Sequence, residues 1–89
     1  MPVVYKYPLG RGGLTQILMP KGAYAAHVAL QGPGLDPMIW AIVEPAKECE
    51  ERTFMILATG QEIPEGLNRY IGSIHPDPFV FHVFEVLTS

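Results

Sequence analysis

Proline and glycine divide this sequence into short apolar segments, and this division restricts the folds that the chain can adopt. Nine prolines and nine glycines are spread along 89 residues, and the apolar segments between them are five to nine residues long. Segments of this length that end in Pro and Gly turns are typical of β-strands. The sequence predicts strands at Val3–Tyr7, Leu14–Met19, Tyr24–Leu30, Met38–Val43, Arg52–Thr59, Tyr70–His75 and Phe79–Leu87.

The same sequence gives no sign of long helices. No segment of about 10–15 residues repeats its apolar side chains every ~3.6 positions, so an alternation of strands and helices is excluded. The charged connection EPAKECEE and the segment after Pro64 each have room for a single helical turn. We expect an all-β fold with a single domain over residues 1–89, in which about seven short antiparallel strands form a small sandwich or barrel.

The composition indicates that the chain covers apolar surface with a partner. Apolar residues make up 48% of the sequence and charged residues 17%, whereas ordinary domains contain about 25% charged residues. A domain of this size buries a small core and has little stability to spare. Cys49 is the only cysteine, so no intrachain disulfide can form, and the three histidines are not spaced as zinc ligands. With a disulfide and a zinc site excluded, association of identical chains is the remaining source of extra stability, so we expect a homo-oligomer.

The last predicted strand, FVFHVFEVL, has apolar side chains on both faces, and the fourth and fifth strands share this property. A half-buried antiparallel strand alternates apolar and polar residues instead. Leaving one apolar face in water forgoes about 1.5–3 kcal/mol for each side chain that burial would remove from solvent. A second copy of the chain that covers this face is the favoured interpretation. The alternative is that loops of the same chain cover it.

Several classes of function are excluded or disfavoured by the sequence. The net charge of −3 and the absence of a basic run argue against binding to duplex nucleic acid. The start MPVVYKYPLG is not a signal peptide, and no apolar stretch approaches the roughly 20 residues that span a bilayer, so we expect a cytoplasmic protein without membrane contact. Ser73 lacks a nucleophile-elbow context, and Cys49 lies among acidic residues. We therefore expect neither an enzyme nor a bound cofactor or metal.

Five residues are candidate ligand contacts: Trp40, Arg52, Thr59, Gln61 and Arg69. Thr59 and Gln61 follow a strand in ATGQEIPEG, where their side chains either hold the loop or line a small-molecule pocket. Trp40 is either a core residue or a platform on which a base stacks, with an arginine near the phosphate.

The histidines are weaker candidates. His82 lies on an apolar strand, which favours a hydrogen-bonded core or interface histidine over a ligand contact. The roles of His27 and His75, near strand ends, stay open.

Ordered motifs along the chain resemble a family of small phage-encoded proteins of unassigned function. The matching blocks are VVYKYPL, ILMPKGA, a strand with IWA, EERTFMILATGQEIP, YIGS and FVFHVFEV. They cover nearly the whole chain, and the T-G-x-x-I-P loop and the closing V-F-H-V-F are the most specific. The turn QGPGLDPM is longer here than in the family pattern. The resemblance implies a bacteriophage accessory protein that acts in the bacterial host cytoplasm, and it transfers no catalytic residues.

Three hypotheses of function follow from these observations. The leading one is a homo-oligomeric phage counter-defence protein that sequesters a small nucleotide-type immune signal in pockets between subunits, lined by the five candidate residues. The alternative is a protein–protein inhibitor or a structural accessory module that binds a host or phage protein through its sheet. The third and weakest is an enzyme that cleaves a nucleotide with the help of His75 or His82.

Overall fold

The computed structural model describes residues 1–87, which form seven β-strands. The strands are β1 (Val3–Pro8), β2 (Leu14–Pro20), β3 (Tyr24–Gln31), β4 (Asp36–Val43), β5 (Cys49–Ala58), β6 (Asn68–Ile74) and β7 (Phe81–Val86). Over these 87 residues the structure has no helix that is long and apolar enough to cross a membrane.

The strands form two antiparallel sheets that pack face to face as a sandwich. The three-stranded sheet has the order β1-β4-β3, and the four-stranded sheet has the order β2-β5-β7-β6. The molecule measures 40 × 34 × 16 Å, so it is a thin slab of two layers. The predicted all-β antiparallel fold is confirmed, and of the two predicted forms the structure has the sandwich.

Every strand differs from its predicted bounds by one to three residues, and the differences at the starts of β5 and β7 have local reasons. β5 begins at Cys49 rather than Arg52, because the residues before Arg52 pair with the end of β2 instead of forming a helical turn. β7 begins at Phe81 rather than Phe79. The Phe79 amide donates to the Pro76 carbonyl oxygen over 2.8 Å, so Phe79 belongs to the preceding turn.

The core lies between the two sheets and follows from the alternation of side chains along each strand. The largest side chains that are fully buried are Phe54, Met19, Ile39, Val43 and Val83. They come from β2, β4, β5 and β7, so both sheets contribute to one continuous core.

A second apolar cluster lies on the outer face of the four-stranded sheet. Met55, Leu57 and Phe84 are buried there, and Val86 packs against them. Met55 pairs with Phe84 across β5 and β7, so their side chains share one face and point away from the core. The same chain therefore covers much of the second apolar face of β7, which is the alternative that the sequence left open.

The outer face of the three-stranded sheet is more open. Val4, Ile42 and Tyr24 are direct neighbours across β1, β4 and β3. They form a row that we call the exposed row, and their exposed fractions are 62%, 45% and 54%. Apolar side chains that adjoin on a surface are a feature of association sites.

A buried ion network joins the two sheets where edge strands β3 and β6 approach each other. The Glu85 carboxylate is buried on the core face of β7 and accepts hydrogen bonds from Nε and Nη2 of Arg52. Arg69 Nη2 lies 3.8 Å from Glu85 Oε1. Arg69 also crosses to the other sheet, where it donates to the carbonyl oxygen of Ala25 (2.6 Å), and Arg52 donates to that of Ala23 (2.8 Å), just before β3. Carbonyls that the edge strand leaves unpaired are thereby satisfied.

The network strengthens the positive charge of Arg52. The hydrogen bonds to Glu85 raise the pKa of the Arg52 guanidinium above its ordinary value, although burial alone acts in the opposite direction. The contribution of the Arg52 charge to stability is thus complete at neutral pH. It is lost only in strong alkali, as the pH rises through that raised pKa.

Replacing Glu85 with glutamine tests the importance of this network. Glu85→Gln keeps the size of the side chain but leaves the positive charge of Arg52 without its partner inside the protein. Removal of one member of a buried ion pair costs about 3–5 kcal/mol, and we expect a loss of this size in urea unfolding.

Asp36→Asn is the matched control, because Asp36 forms an exposed ion pair with Arg11 at 2.9 Å. An exposed pair contributes about 0–1 kcal/mol. Equal effects of the two substitutions would show that the Glu85 network has no special role.

Candidate functional site

A cleft on the outer face of the four-stranded sheet is the candidate ligand site, and we call it the outer cleft. Its volume is about 370 Å³. Leu57 and Phe84 form its apolar floor, and the loop that follows β5 forms one wall. Tyr70 forms the opposite wall, and its ring packs edge-on against Phe84 with centroids 5.1 Å apart. The cleft is the part of the second apolar cluster that the loop leaves uncovered.

A tight turn holds the beginning of the loop. The backbone amide of Gln61 donates to the Ala58 carbonyl oxygen over 3.0 Å. The backbone amide of Ala58 donates to the side-chain oxygen Oε1 of Gln61 over the same distance. Gly60 has a φ of +90°, which suits glycine at the third position of a type II turn. The turn fixes the direction in which Thr59 and Gln61 leave the sheet.

The far end of the loop is held by different contacts. Asn68 Nδ2 donates to the carbonyl oxygens of Pro64 (3.1 Å) and Gly66 (3.4 Å). The Leu87 amide donates to the Leu67 carbonyl oxygen over 2.8 Å, which attaches the loop to the end of β7. The loop is therefore fixed at both ends, while Ile63 between them lines the cleft and is otherwise exposed.

A chain of polar side chains forms the rim of the outer cleft. Tyr70 Oη lies 3.0 Å from His82 Nδ1, and His82 Nε2 lies 2.8 Å from Thr59 Oγ1. Thr59 Oγ1 also lies 3.2 Å from the Val80 carbonyl oxygen. A β-bulge in β6 between Tyr70 and Gly72 helps to form this chain, because it changes the register just where Tyr70 must face outward beside His82.

The structure brings together two of the five predicted ligand contacts in the outer cleft. Thr59 and Gln61 both line it. Arg52 and Arg69 lie together elsewhere, in the buried network with Glu85. Trp40 is half-buried on the outer face of the other sheet, where its ring lies 5.9 Å from the His27 ring.

Sequence reasoning did not connect Tyr70, Leu57 and Phe84 with a site, and it named His82 only in the weakest hypothesis. Their alternation along β5 and β7 indicates a shared face, but the pairing of these strands with β6 cannot be read from the sequence. The only local signal was a histidine in an otherwise apolar strand.

The chemistry that the outer cleft offers is that of neutral hydrogen-bonding groups over an apolar floor. Among the described residues, those that line it include no Lys, Arg, Asp, Glu or Cys. Within residues 1–87, no group of three or more His, Cys, Asp or Glu side chains is placed to hold a metal ion. The arrangement is suited to binding an uncharged planar group, and it places no carboxylate beside His82.

A second cavity, of about 120 Å³, lies at one end of the core. Arg11 is the charged residue in its lining, and Arg11 Nη2 already donates to Gly34 O (2.8 Å) and Asp36 Oδ1 (2.9 Å). This cavity is smaller and has fewer free polar groups, so the outer cleft is the better candidate.

The turn at Gly60 gives a direct test of how the cleft is formed. Gly60→Ala puts a side chain on a residue with positive φ, which costs about 1–2 kcal/mol. A Cβ at this position meets no atom within 4 Å, so crowding contributes nothing. We expect reduced stability in urea unfolding, together with altered NMR signals of Thr59 and His82.

Gly12→Ala is the matched control, since Gly12 also has open space around it and no positive φ. A Gly60→Ala protein as stable as the Gly12→Ala protein would contradict the role of the turn.

Comparison with known proteins places this chain in a family. The sequence matches, over residues 1–89, a family described as a domain of unknown function (DUF7352). Comparison with curated proteins gives no match, and comparison with solved structures gives none either. Because the family match extends over the full sequence, the chain belongs to the family described as Domain of unknown function (DUF7352).

Proposed function

We propose that this protein binds a small molecule with a planar, base-like group in the outer cleft and performs no chemistry on it. The volume of about 370 Å³ supports this proposal, because pockets for small molecules have volumes of roughly 300–1,000 Å³. The observation that carries the proposal is the combination of an apolar floor with a neutral polar rim. In this proposal the aromatic ring of the ligand covers Leu57 and Phe84, and the edge of that ring reaches the polar groups of Tyr70 and Gln61.

If the ligand is a nucleotide, the cleft binds its base and not its phosphate. Arg52 pairs with Glu85 and Glu50, Arg69 lies 3.8 Å from Glu85, and both arginines donate to backbone carbonyls. The phosphate of a nucleotide bound in the cleft therefore lies toward solvent or toward another chain. This arrangement favours discrimination by the base and gives a modest dependence on salt.

Binding without turnover is supported by the surroundings of His82. Both of its ring nitrogens already contact hydroxyl groups of the protein, those of Tyr70 and Thr59. A general base needs a nitrogen that reaches the substrate or an attacking water. Cleavage of a nucleotide with the help of His75 or His82 is accordingly the weaker proposal.

The biological use that we propose is sequestration of a nucleotide-type immune signal by a phage-encoded counter-defence protein in the bacterial host cytoplasm. The resemblance of the sequence motifs to small phage proteins supports this context. A neutral cleft that retains its ligand is consistent with a sponge, which reduces the free concentration of a signal by mass action. In this proposal identical chains associate, while the cleft itself is formed within one chain.

The first experiment asks whether the cleft retains a ligand. Protein is incubated in lysate of bacteria with an active nucleotide-signalling defence, repurified and denatured, and the released molecules are identified by mass spectrometry. We expect a base-containing compound from the wild type and at least about a tenfold reduction from Ile63→Asp, because a carboxylate in the apolar cleft must be desolvated.

Leu67→Asp is the matched control, because Leu67 is an exposed leucine of the same loop that does not line the cleft. Release of no compound, or of equal amounts from the two variants, would contradict binding in the outer cleft.

The exposed row supports a second candidate function, docking on another protein. Val4, Ile42 and Tyr24 adjoin on a flat sheet face, and this face suits either an identical chain or a host or phage protein. We expect wild-type protein to have a mass in light scattering of at least two chains and Ile42→Asp protein to have the mass of one.

Leu14→Asp is the control on the other sheet, because Leu14 is equally apolar and more exposed. A wild-type mass of one chain would contradict self-association and would favour the docking of a foreign protein on the exposed row.

A further inference from the structure

We propose that the outer cleft selects its ligand through two hydrogen bonds. The ligand donates an N–H hydrogen bond to the Tyr70 hydroxyl oxygen and accepts one from the side-chain amide nitrogen of Gln61. This inference rests on the proposed function, in which the cleft binds a base-like group, and it names the edge of that group. The ligand class is a planar heterocycle with a ring N–H and a carbonyl group, as in uracil or hypoxanthine.

The Val80 carbonyl determines which groups of the rim donate their hydrogens and which accept. The Val80 carbonyl oxygen only accepts hydrogen bonds, and it lies 3.2 Å from Thr59 Oγ1. The hydroxyl hydrogen of Thr59 therefore points to Val80, since two oxygens in contact need a hydrogen between them. Thr59 has no second hydrogen, so at 2.8 Å its oxygen accepts a hydrogen bond from His82 Nε2.

This assignment determines the tautomer of His82. A neutral imidazole that carries its hydrogen on Nε2 has an unprotonated Nδ1, which accepts. Tyr70 Oη lies 3.0 Å from Nδ1 and donates to it. The hydrogen bonds thus run in one direction, from Tyr70 to His82, from His82 to Thr59 and from Thr59 to the backbone.

The direction decides what Tyr70 offers to a ligand. Its one hydroxyl hydrogen is engaged with His82, so only the lone pairs of Oη remain for a molecule in the cleft. A ligand that approaches with an acceptor atom meets an oxygen that cannot donate. A ligand that approaches with an N–H group forms a hydrogen bond.

Gln61 offers the complementary group. Its Oε1 accepts from the Ala58 amide over 3.0 Å, which fixes the orientation of the side-chain amide. Within the described chain the amide nitrogen of Gln61 makes no hydrogen bond, and Gln61 lines the cleft. The cleft therefore presents an acceptor from Tyr70 on one wall and a donor from Gln61 on the other, which match a ring N–H and a carbonyl group of a planar heterocycle.

Matched nucleosides test this inference. Uridine is compared with 3-methyluridine, and inosine with 1-methylinosine, by titration into labelled protein followed by NMR. In each pair a methyl group replaces the ring N–H and the carbonyl is kept. We expect the methylated member to bind about tenfold or more weakly, because Tyr70 keeps an unmatched acceptor.

The tautomer has its own measurement, which needs no ligand. Imidazole ¹H–¹⁵N correlation spectra of the wild type are expected to show the His82 hydrogen on Nε2. Thr59→Val removes the acceptor at the end of the chain, so the Nδ1–H tautomer forms and the Tyr70 hydroxyl becomes free to donate. In this variant we expect the preference for the unmethylated nucleosides to fall to about threefold or less.

Ser73→Ala is the control variant, because Ser73 lies opposite His82 across β6 and β7 and its hydroxyl contacts His75 rather than this chain of hydrogen bonds. Its nucleoside preference should equal that of the wild type.

The outcomes separate this inference from the proposed function. Equal binding of methylated and unmethylated nucleosides in the cleft, or a wild-type His82 with its hydrogen on Nδ1, overturns the inference and leaves the proposed function intact. No change of the Leu57, Tyr70 and Phe84 signals with any of the four nucleosides overturns both.

Discussion

The structure depends on a strand, β7, that has no side facing water. Val83 and Glu85 point into the sandwich, while Phe84 is buried on the outside beside Met55 and Leu57. A two-layer sandwich has no third layer to cover this outer face, so the chain uses the loop after β5 and the ring of Tyr70. Cover made from a loop is less complete than cover made from a sheet, and the uncovered part of the apolar cluster is the outer cleft. The fold and the candidate site thus have the same physical origin.

The inner face of β7 contains the second feature on which the fold depends. Glu85 is a buried carboxylate in an apolar strand, and Arg52 and Arg69 neutralise it from both neighbouring strands. The same guanidinium groups reach the carbonyl of Ala23, just before β3, and that of Ala25, which is on the opposite sheet. Apolar contacts alone fix neither the register nor the relative position of two sheets. A charge with fixed hydrogen-bonding partners on both sheets is far more specific.

How far the sequence predicted this structure depends on the range of the interaction. The all-β class and all seven strands follow from Pro and Gly turns between short apolar segments, because these signals are local. The strand order β2-β5-β7-β6 is a long-range property that no local pattern contains. For this reason the sequence suggested that Arg52 and Arg69 contact a phosphate. In the structure Arg69 pairs with Glu85 across β6 and β7, and Arg52 forms an ion pair with the same Glu85 from β5.

In the candidate site, too, the residues that local sequence signals predict differ from those that only long-range strand pairing brings together. Thr59 and Gln61 were predicted from turn chemistry, which is local, and both line the outer cleft. Tyr70 and His82 come together only through the pairing of β6 with β7, and the bulge after Tyr70 leaves no trace in the sequence. The prediction that apolar strand faces need cover was sound, but a loop of the same chain supplies that cover for Phe84.

The two anchors of the loop determine where this chain tolerates substitutions. The turn at Gly60 and the contacts of Asn68 fix the ends of the loop independently of what lies between them. The intervening side chains, Glu62 to Glu65, are exposed and take no part in the core. Changes in this tetrapeptide reshape the wall of the cleft without disturbing the sandwich, so the shape of the cleft can vary at little risk to folding.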